Sequence, residues 1–517
     1  MSTTRSILIL FIGLTIGFGV ANKITRASGK ISFSEEPNKE KLTRLIDYIE
    51  DRYVDQVNTD SIVDYTVTSI LSQLDPHSTY IPKSKMADVK ERMQGDFVGI
   101  GVNYWVLKDT MVVISTIEGG PSAKAGVLAG DRILLANQDT LYGEKAQREQ
   151  RIKKLKGAVN SDVAIQVYRP EIGVLDFNLK REVVPIKSVE AAFMLNDTTG
   201  YIKIERFAET TFKEYKTAFL SLNQSNLKSL ILDLRGNGGG YVKPALQIAD
   251  EFLEDQKLIM FTKDRNGAIE QSIATAEGDF EQGNLYVLID ENSASASEIL
   301  AGALQDQDKA TIVGRRSFGK GLVQQVMELG DGSSVRLTVS QYYTPTGRSI
   351  QRPYEKGNEA YFNEYLERYD SGELKDSTKL KVIDSLAFKT PKGKIVYGGG
   401  GIIPDIYVEQ SEDRNLEVLE YGVYAGVVNR FVFNELEKHR SYYNDLSLAD
   451  LLNLEITDSL VYQFKNYSAD KGLEFSGTSA NLKIKSSIKA EMAKQLHSSN
   501  TYYQIILQDD DFVKSVR

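Results

Sequence analysis

The feature that most constrains this chain is a strand–turn–helix–strand pattern between residues 284 and 325 that ends in a lysine-bearing loop. The apolar runs Leu285–Ile289 and Ala310–Val313 have the length and composition of buried strands. Small residues follow the first run, and the apolar positions of Glu298–Gln307 share one helical face. The loop after the second run ends in Lys320. A serine at the end of one strand can meet a lysine after the next, as a serine nucleophile with a lysine base requires.

Other interpretations of the same residues compete with catalysis. Ser295 and Glu298 match the S-x-x-E capping box of a helix start, and a lysine in a glycine-rich loop is usually solvated. The segment from Gly314 to Lys320 also matches the phosphate-binding pattern G-x-x-x-x-G-K. Gly321 stands where that pattern needs Ser or Thr, and a strand rather than a helix is predicted next. Nucleotide binding is therefore not favoured.

The residues that the chain lacks narrow the choice of catalytic groups. It contains no cysteine, which excludes a thiol nucleophile, and none of its three histidines lies between residues 78 and 438. His77, in the segment LDPHSTYI, is predicted to be structural, and His439 and His497 are predicted to lie at the surface. Lysine is then the remaining side chain that can deprotonate a serine. For that role, burial must lower its pKa by roughly 3 units from about 10.4.

The motifs ENSASASEI and GRRSFGKGLVQ resemble those of the carboxy-terminal processing peptidases, which are tail-specific serine proteases with a Ser-Lys dyad. Residue chemistry alone leaves Ser293, Ser295 and Ser297 open as the nucleophile. The resemblance implies Ser295 as the nucleophile and Lys320 as the base. It also places the family's supporting glutamine at Gln324, which on an extended chain shares a face with Lys320.

A glycine-rich turn after another buried-type strand supplies candidate oxyanion donors. The strand SLILDL is followed by the segment Arg235–Gly240, RGNGGG. Glycines after a strand can wrap a phosphate or point N–H groups at an oxyanion, and no GK[ST] follows to favour the phosphate. Through the motif DLRxNxGG, the resemblance implies an oxyanion hole. We predict the backbone N–H groups of Gly239 and Ala296 as its donors.

Residues 96–184 have the pattern of a small β domain, with several short strands and the segment GPSAKAGVLAGDRI. This region resembles a PDZ domain. Such domains add a peptide to the edge of a sheet and hold its terminal carboxylate in a loop of backbone N–H groups. The resemblance implies that this loop consists of Gly99, Ile100, Gly101 and Val102.

The predicted fold is a multidomain α/β arrangement. Strand–helix repeats between residues 200 and 345 predict a core with mainly parallel strand pairing. The resemblance sharpens this to a crotonase-like β-α spiral with an inserted PDZ domain and helical N- and C-terminal regions. The predicted parts are a signal peptide or membrane anchor at 1–27, a helical region at 36–95, the PDZ domain at 96–184, the Ser-Lys protease core at 185–408 and a helical region at 409–517. Individual helices are predicted at Lys41–Val57, from Asp60 or Ser61 onward, at Leu416–Lys438 and near 447–466 and 485–507, and a surface insertion is predicted at 354–384.

The amino-terminal segment predicts export. Its apolar run Ser6–Ala21 suits a signal peptide or an uncleaved anchor, with basic residues on both sides. The remainder is predicted to lie in a bacterial periplasm, free or anchored to the inner membrane. A net charge of −9 argues against nucleic acid as the main partner. The predicted partners are proteins with a free carboxy terminus and a second copy bound through the C-terminal helices, and no cofactor or metal is predicted.

The predicted function is a serine endopeptidase that cleaves unfolded or flexible carboxy-terminal tails, with the PDZ domain binding the tail and gating the site. Two other classes remain open. One is a PDZ-bearing scaffold protein with an inactive core. The other is a metal-dependent hydrolase that uses Glu298, Asp306 and Asp233, although carboxylates without a nearby histidine disfavour zinc.

Overall fold

The structure is a computed structural model that describes residues 37–143, 148–223 and 226–516. It divides into two compact units, of which the second begins at Leu74. The predicted signal peptide or anchor, residues 1–27, lies outside the described residues. Within the described ranges, no helix has both the length and the apolar character needed to cross a membrane.

The first unit contains two described helices, α1 (Pro37–Arg52) and α2 (Thr59–Ser72). The helix predicted over Lys41–Val57 therefore starts and ends earlier than expected. Asn58 is the N-cap of α2, because its side-chain oxygen accepts the N–H of Ser61 at 3.0 Å. The helix therefore begins before the start predicted at Asp60 or Ser61.

The second unit holds the sheets. In chain order, its strands are β1 (Thr79–Ile81), β2 (Asp96–Gly99), β3 (Val102–Leu107), β4 (Thr110–Thr116), β5 (Arg132–Ala136), β6 (Asp139–Thr140), β7 (Asp162–Arg169), β8 (Gly173–Lys180), β9 (Glu182–Pro185), β10 (Val189–Met194), β11 (Thr199–Ile204), β12 (Ser229–Asp233), β13 (Leu258–Asp264), β14 (Ile269–Ile273), β15 (Asn284–Ile289), β16 (Ala310–Gly314), β17 (Leu322–Glu328), β18 (Ser334–Tyr343), β19 (Ala387–Lys389), β20 (Ile395–Tyr397) and β21 (Ile406–Tyr407). Its α-helices are α3 (Lys83–Gln94), α4 (Pro121–Ala125), α5 (Arg148–Leu155), α6 (Thr211–Asn223), α7 (Val242–Asp250), α8 (Ala296–Asp306), α9 (Asn358–Asp370), α10 (Arg414–Tyr424), α11 (Val427–Lys438), α12 (Arg440–Asn444), α13 (Leu448–Asn453), α14 (Asp458–Ala469), α15 (Asn481–Leu496), α16 (Ser499–Ile506) and α17 (Asp511–Lys514).

The sheet that positions the candidate site has six strands in the order β10-β11-β12-β15-β16-β21. The pairs from β11 to β21 are parallel, and β10 pairs antiparallel with β11, so mainly parallel pairing is confirmed. The central strands are apolar runs because both faces of the sheet are covered. Since β12, β15 and β16 are neighbours, the glycine-rich turn, the serine turn and the lysine loop all leave the same edge.

Helix α8 follows the serine turn and is buried along its whole length. The sequence predicted an apolar face on Glu298–Gln307, but the helix is enclosed on all sides. Its small residues permit this, since a Cβ at Gly302 would lie 3.0 Å from the side chains of Ile402 and Thr344. The serine turn is thus attached to a rigid element.

A second sheet, of antiparallel strands, lies beside the lysine loop. It has the order β1-β18-β13-β14, with β17 also paired to β18. The region predicted as a surface insertion contributes to the interior here. Helix α9 carries Tyr361 and Arg368, each 3% exposed, and Arg368 donates to the backbone carbonyls of Arg316 and Ser317 at 3.1 and 3.0 Å.

The region 96–184 forms a separate sheet with the order β3-β4-β5-β7-β8 and its own apolar core. A ribbon of β2 and β9 connects it at both ends to the rest of the unit. The carboxy-terminal region is helical and has another apolar core. The helix predicted over Leu416–Lys438 is two helices, α10 and α11, because Gly426 adopts a φ of +70° between them.

Candidate active site

The serine turn distinguishes Ser295 from its two neighbours. Ser293 and Ser297 are fully buried, and their hydroxyls donate to the backbone carbonyls of Leu234 and Asn237 at 2.9 and 2.8 Å. Ser295 is only partly buried. Its φ of +57° and ψ of −113° lie where residues other than glycine are rarely found, so its backbone is strained. Of the three serines, Ser295 is the one whose side chain is accessible.

The lysine loop places Lys320 immediately before β17. The Nζ of Lys320 donates to Oε1 of Gln324 at 2.8 Å, so the predicted contact between these two side chains is present. Burial and the positive charge of Arg336 lower the pKa of Lys320 to about 8, against the opposing effects of Glu298 and Asp75. A substantial fraction of this amine is therefore neutral near pH 8.

Glu298 connects the serine turn to the lysine loop. Its Oε2 accepts the backbone N–H groups of both Ser295 and Lys320, at 2.8 and 2.9 Å. Its Oε1 accepts the N–H of Gly319 and the hydroxyl of Ser317, both at 2.6 Å. Burial raises the pKa of Glu298, and the hydrogen bonds act against that rise. One carboxylate thus fixes the backbone positions of both predicted dyad residues.

The glycine-rich turn lies directly against the serine turn. Gly239 has a φ of +95°, and a Cβ there would lie 2.6 Å from the carbonyl oxygen of Ala294 and 3.0 Å from the nitrogen of Ala296. Only glycine fits so close an approach. The turn is held by Asn237, whose carbonyl accepts the N–H of Ala294 and whose Nδ2 donates to Ile204. The two predicted oxyanion donors, Gly239 and Ala296, are therefore brought together.

The N–H of Gly239 differs from the expectation in one respect. It donates to Oδ1 of Asn237 at 2.9 Å and is therefore engaged by a side chain in this conformation. The sequence predicted this N–H as a donor to an oxyanion. Serving in that role requires the N–H to leave Asn237 or to share its hydrogen bond.

The predicted carboxylate loop lies between β2 and β3. Gly99 belongs to β2, Ile100 is buried in the core of the small domain, and Gly101 has a φ of +72°. The carbonyls of Ile100 and Gly101 accept the N–H groups of Ser122 and Ile117. Val102 begins β3, which is the edge strand of its sheet. The loop thus opens onto a strand edge of the kind to which peptides add.

Comparisons with known proteins identify the family and the domains of the chain. Residues 198–356 match peptidase family S41, residues 98–181 match the PDZ domain, and residues 420–498 match a family of unknown function. A carboxy-terminal-processing protease of Bartonella bacilliformis is 32% identical over 342 residues, which cover 64% of this chain and 77% of that protein. The chain belongs to the carboxy-terminal processing peptidases of family S41. It is a serine-type peptidase with a PDZ domain.

Two further relatives of the peptidase cover more of its length. The carboxy-terminal processing protease CtpA of Bacillus subtilis is 28% identical over 445 residues, which cover 86% of this chain and 90% of that protein. The solved structure of a photosystem II D1 C-terminal processing protease is 25% identical, covers 71% of this chain and 86% of that chain, and has a TM-score of 0.38. The family assignment rests on the sequence matches.

The carboxylates of the rival metal-hydrolase hypothesis do not form a cluster in the peptidase. Asp306 pairs with Arg348 at 2.7 Å, Asp233 pairs with Arg235 at 2.6 Å, and Glu298 accepts hydrogen bonds from the two loops. In the part of the chain that the structure describes, no group of three or more acidic or histidine side chains could hold a metal ion.

His77 lies near Lys320, and its Nε2 shares a hydrogen bond of 2.8 Å with the hydroxyl of Tyr361. Burial and the charge of Lys320 lower the pKa of His77 to about 4. The imidazole is thus neutral at the pH where Lys320 titrates. Its aromatic neighbours Phe318, Tyr361 and Phe362 make this side of the lysine loop apolar.

Sequence reasoning did not assign positioning roles to Glu298 and Asn237. In the sequence, Glu298 was assigned only as part of a helix capping box and as a candidate metal-binding carboxylate, because nothing along the chain indicates its contact with Lys320, 22 residues later. Asn237 was identified only as a residue of the DLRxNxGG motif, with no role of its own. Its buried side chain, which bonds both Ile204 and Gly239, has no signal in the sequence.

Proposed function

We propose that the peptidase cleaves flexible carboxy-terminal tails of proteins with a Ser-Lys dyad, in which Ser295 is the nucleophile and Lys320 is the general base. The observation that carries this proposal is the shared oxygen of Glu298, which lies within 2.9 Å of the backbone nitrogens of both residues. The lowered pKa of Lys320 and its contact with Gln324 support the assignment. The buried hydroxyls of Ser293 and Ser297 support Ser295 over its neighbours.

In the proposed mechanism, Ser295 Oγ attacks the scissile carbonyl carbon while neutral Lys320 Nζ accepts its proton. The N–H groups of Ala296 and Gly239 stabilise the oxyanion, once Gly239 is released from Asn237 Oδ1. Each such donor typically contributes about 10²–10³ in rate. The protonated lysine then gives its proton to the leaving amine, and an acyl-enzyme forms. Water resolves this ester with Lys320 again acting as the base.

The pH dependence of cleavage tests the base. Because only neutral Lys320 can accept the proton, we expect kcat/KM to rise with pH and to level off above the pKa of Lys320, at about 8. Rates on a flexible-tailed protein would be measured across this range. A midpoint below about pH 6 would contradict a lysine base.

The variant Arg336→Gln provides a matched check on that assignment. The charge of Arg336 lowers the pKa of Lys320, so its removal is expected to move the midpoint to higher pH. An unchanged midpoint would show that the titrating group does not sense Arg336.

We further propose that the PDZ domain binds the free carboxylate of the substrate at residues 99–102 and gates access to Ser295. Support comes from the loop with Gly101 at positive φ and from the position of β3, which follows it, at the edge of its sheet. Substrates must then be flexible at their carboxy terminus, because only an extended strand can pair with a sheet edge.

Cleavage rates on substrates with a free and with an amidated carboxy terminus test whether the PDZ domain recognises the terminal carboxylate. Losing hydrogen bonds to a charged carboxylate is expected to lower kcat/KM by about 10-fold or more. Gly101→Ala, which strains the loop, should lose the preference. Gly119→Ala is the matched control, because Gly119 has a φ of +70° and no heavy atom within 4 Å of an added Cβ. Equal rates on both termini would exclude carboxylate recognition.

The crotonase-like β-α spiral is proposed for the core on the basis of its parallel sheet and buried helices. Export, the amino-terminal signal or anchor, and a homodimer through the C-terminal helices stay predictions from the sequence.

A further inference from the structure

Helix α11 (Val427–Lys438) of the C-terminal region contacts the PDZ domain. Trp105 of β3 meets Phe433 edge to face, with 5.5 Å between the ring centroids. The guanidinium of Arg430 lies 6.0 Å from the centroid of Trp105. The residues on either side, Tyr104 and Val106, pack instead into the core of the PDZ domain. Trp105 therefore belongs to the outer face of the strand whose edge is proposed to bind substrate.

Charged groups extend this contact. Arg132 of the PDZ domain pairs with Oε2 of Glu437 at 3.3 Å, and Arg440 donates to Oε1 of the same carboxylate at 2.7 Å. Gly130 permits the approach, since a Cβ there would lie 2.6 Å from Oε1 of Glu437. An aromatic contact from β3 and an ion pair from β5 thus both join the PDZ domain to helix α11.

Phe433 is 1% exposed, but the charged part of the contact has the partial exposure that permits reversible contacts. The side chains of Arg132 and Glu437 remain 34% and 16% exposed. Other links between the PDZ domain and its unit include the β2–β9 ribbon and the ion pair of Lys156 with Glu91. Small, partly polar contacts between domains permit relative motion, whereas large apolar ones suppress it.

We propose that α11 is a docking surface for the PDZ domain of the same chain, and that this is a function of the region that matches a family of unknown function. The dock fixes the direction in which β3 presents a bound tail. This consequence rests on the proposed function. A substrate held at both the PDZ domain and Ser295 is bivalent, so a fixed PDZ domain raises the effective concentration of the scissile bond at the serine. Docking is therefore expected to raise the cleavage rate of substrates whose tails are bound by the PDZ domain.

Fluorescence of Trp105 tests the contact itself, because this is the only tryptophan in the chain. In the full chain, Glu437→Gln is expected to shift the emission to longer wavelength and to increase quenching by acrylamide. This change leaves the direct ring neighbours of Trp105 in place, so such a shift reports undocking. Glu435→Gln is the matched control, because Glu435 lies on the same helix and pairs with Lys438 at 2.6 Å. A spectrum of Glu437→Gln identical to that of the control would overturn the dock.

Cleavage rates test the consequence. We expect Glu437→Gln and Phe433→Leu to lower kcat/KM about 5-fold on a substrate with a free carboxy terminus and to leave the rate on its amidated form unchanged. If the wild type does not distinguish the two substrates, the proposed tail recognition fails. If the wild type distinguishes them and both variants do so equally well, the inference about the dock fails and tail recognition stands.

A tethered form of the protein separates loss of docking from damage to the fold. The chain has no native cysteine, so Arg132→Cys with Glu437→Cys introduces its only thiols. Untreated, this double variant is expected to behave as the undocked variants do. Linking the thiols with a short bismaleimide should restore the preference for the free terminus, whereas the same reagent on each single variant should not. If the tether forms but the preference for the free carboxy terminus is not restored, the proposal is contradicted.

Discussion

The variant Ser295→Ala is expected to retain its fold and to lose tail cleavage by about 10⁴-fold or more, because no other hydroxyl of the serine turn is free to attack. Lys320→Met, which keeps the apolar volume of the side chain, is expected to lose a similar factor. In the proposed mechanism the two groups act in one step, so the double variant should be no slower than either single variant. Circular dichroism and cleavage of a flexible-tailed protein would be measured together.

The neighbouring serine is the control for this experiment. Ser293→Ala removes a buried hydroxyl that donates to Leu234, and about 1–3 kcal/mol of stability should be lost with it. Its activity, measured below its lower melting temperature, should stay within about 10-fold of the wild type. If Ser293→Ala abolished cleavage while Ser295→Ala retained it, the nucleophile would be misassigned.

The second large effect is expected at Glu298. In the wild type, donors of the serine turn and the lysine loop share the carboxylate of Glu298. Glu298→Gln replaces one of the two acceptor oxygens with an NH₂ group, which faces these donors and cannot accept their hydrogen bonds. About 2–4 kcal/mol of folding free energy should be lost. A displacement of the dyad by about 1 Å would lower kcat by about 10²-fold.

The pH profile distinguishes a positioning role of Glu298 from a purely structural one. The charge of Glu298 raises the pKa of Lys320, so Glu298→Gln should move the midpoint of the profile below that of the wild type, opposite to Arg336→Gln. Glu291→Gln is the matched control, because it removes a buried carboxylate that pairs with Arg315 at 2.9 Å across the same two segments. A midpoint that moves equally in both variants would contradict the assigned role.

The sequence was most informative where a local pattern of apolar or polar residues matches the repeat of a strand. The runs Leu285–Ile289 and Ala310–Val313 are short and apolar, so they predicted buried strands and the parallel core. The spacing of Lys320 and Gln324 on an extended segment predicted that they share a face, and their side chains are in contact. Such local patterns can be inferred because the residues that form them are close in sequence.

Contacts between distant segments could not be inferred. Helix α9 looks like a polar insertion, yet Tyr361 reaches His77 and Arg368 reaches the lysine loop. The engagement of Gly239 by Asn237 depends on a side-chain rotamer that no local pattern specifies. The helix limits near Asn58 and Gly426 were missed because they do not follow from the apolar stripe: an N-cap sets the start of α2, and a left-handed glycine separates α10 from α11.

The β2–β9 ribbon has a consequence for how such peptidases diversify. Asp96 stands opposite Pro185, and the N–H of Ile186 bonds to the carbonyl of Gly95 at 2.8 Å, so the inserted domain begins and ends at one place. An inserted domain whose two ends are adjacent can be replaced there by another domain without changing the path of the protease core. New substrate selectivity can then be acquired by replacing a whole module at this junction, while the proposed hydrolytic site at Ser295 is inherited unchanged.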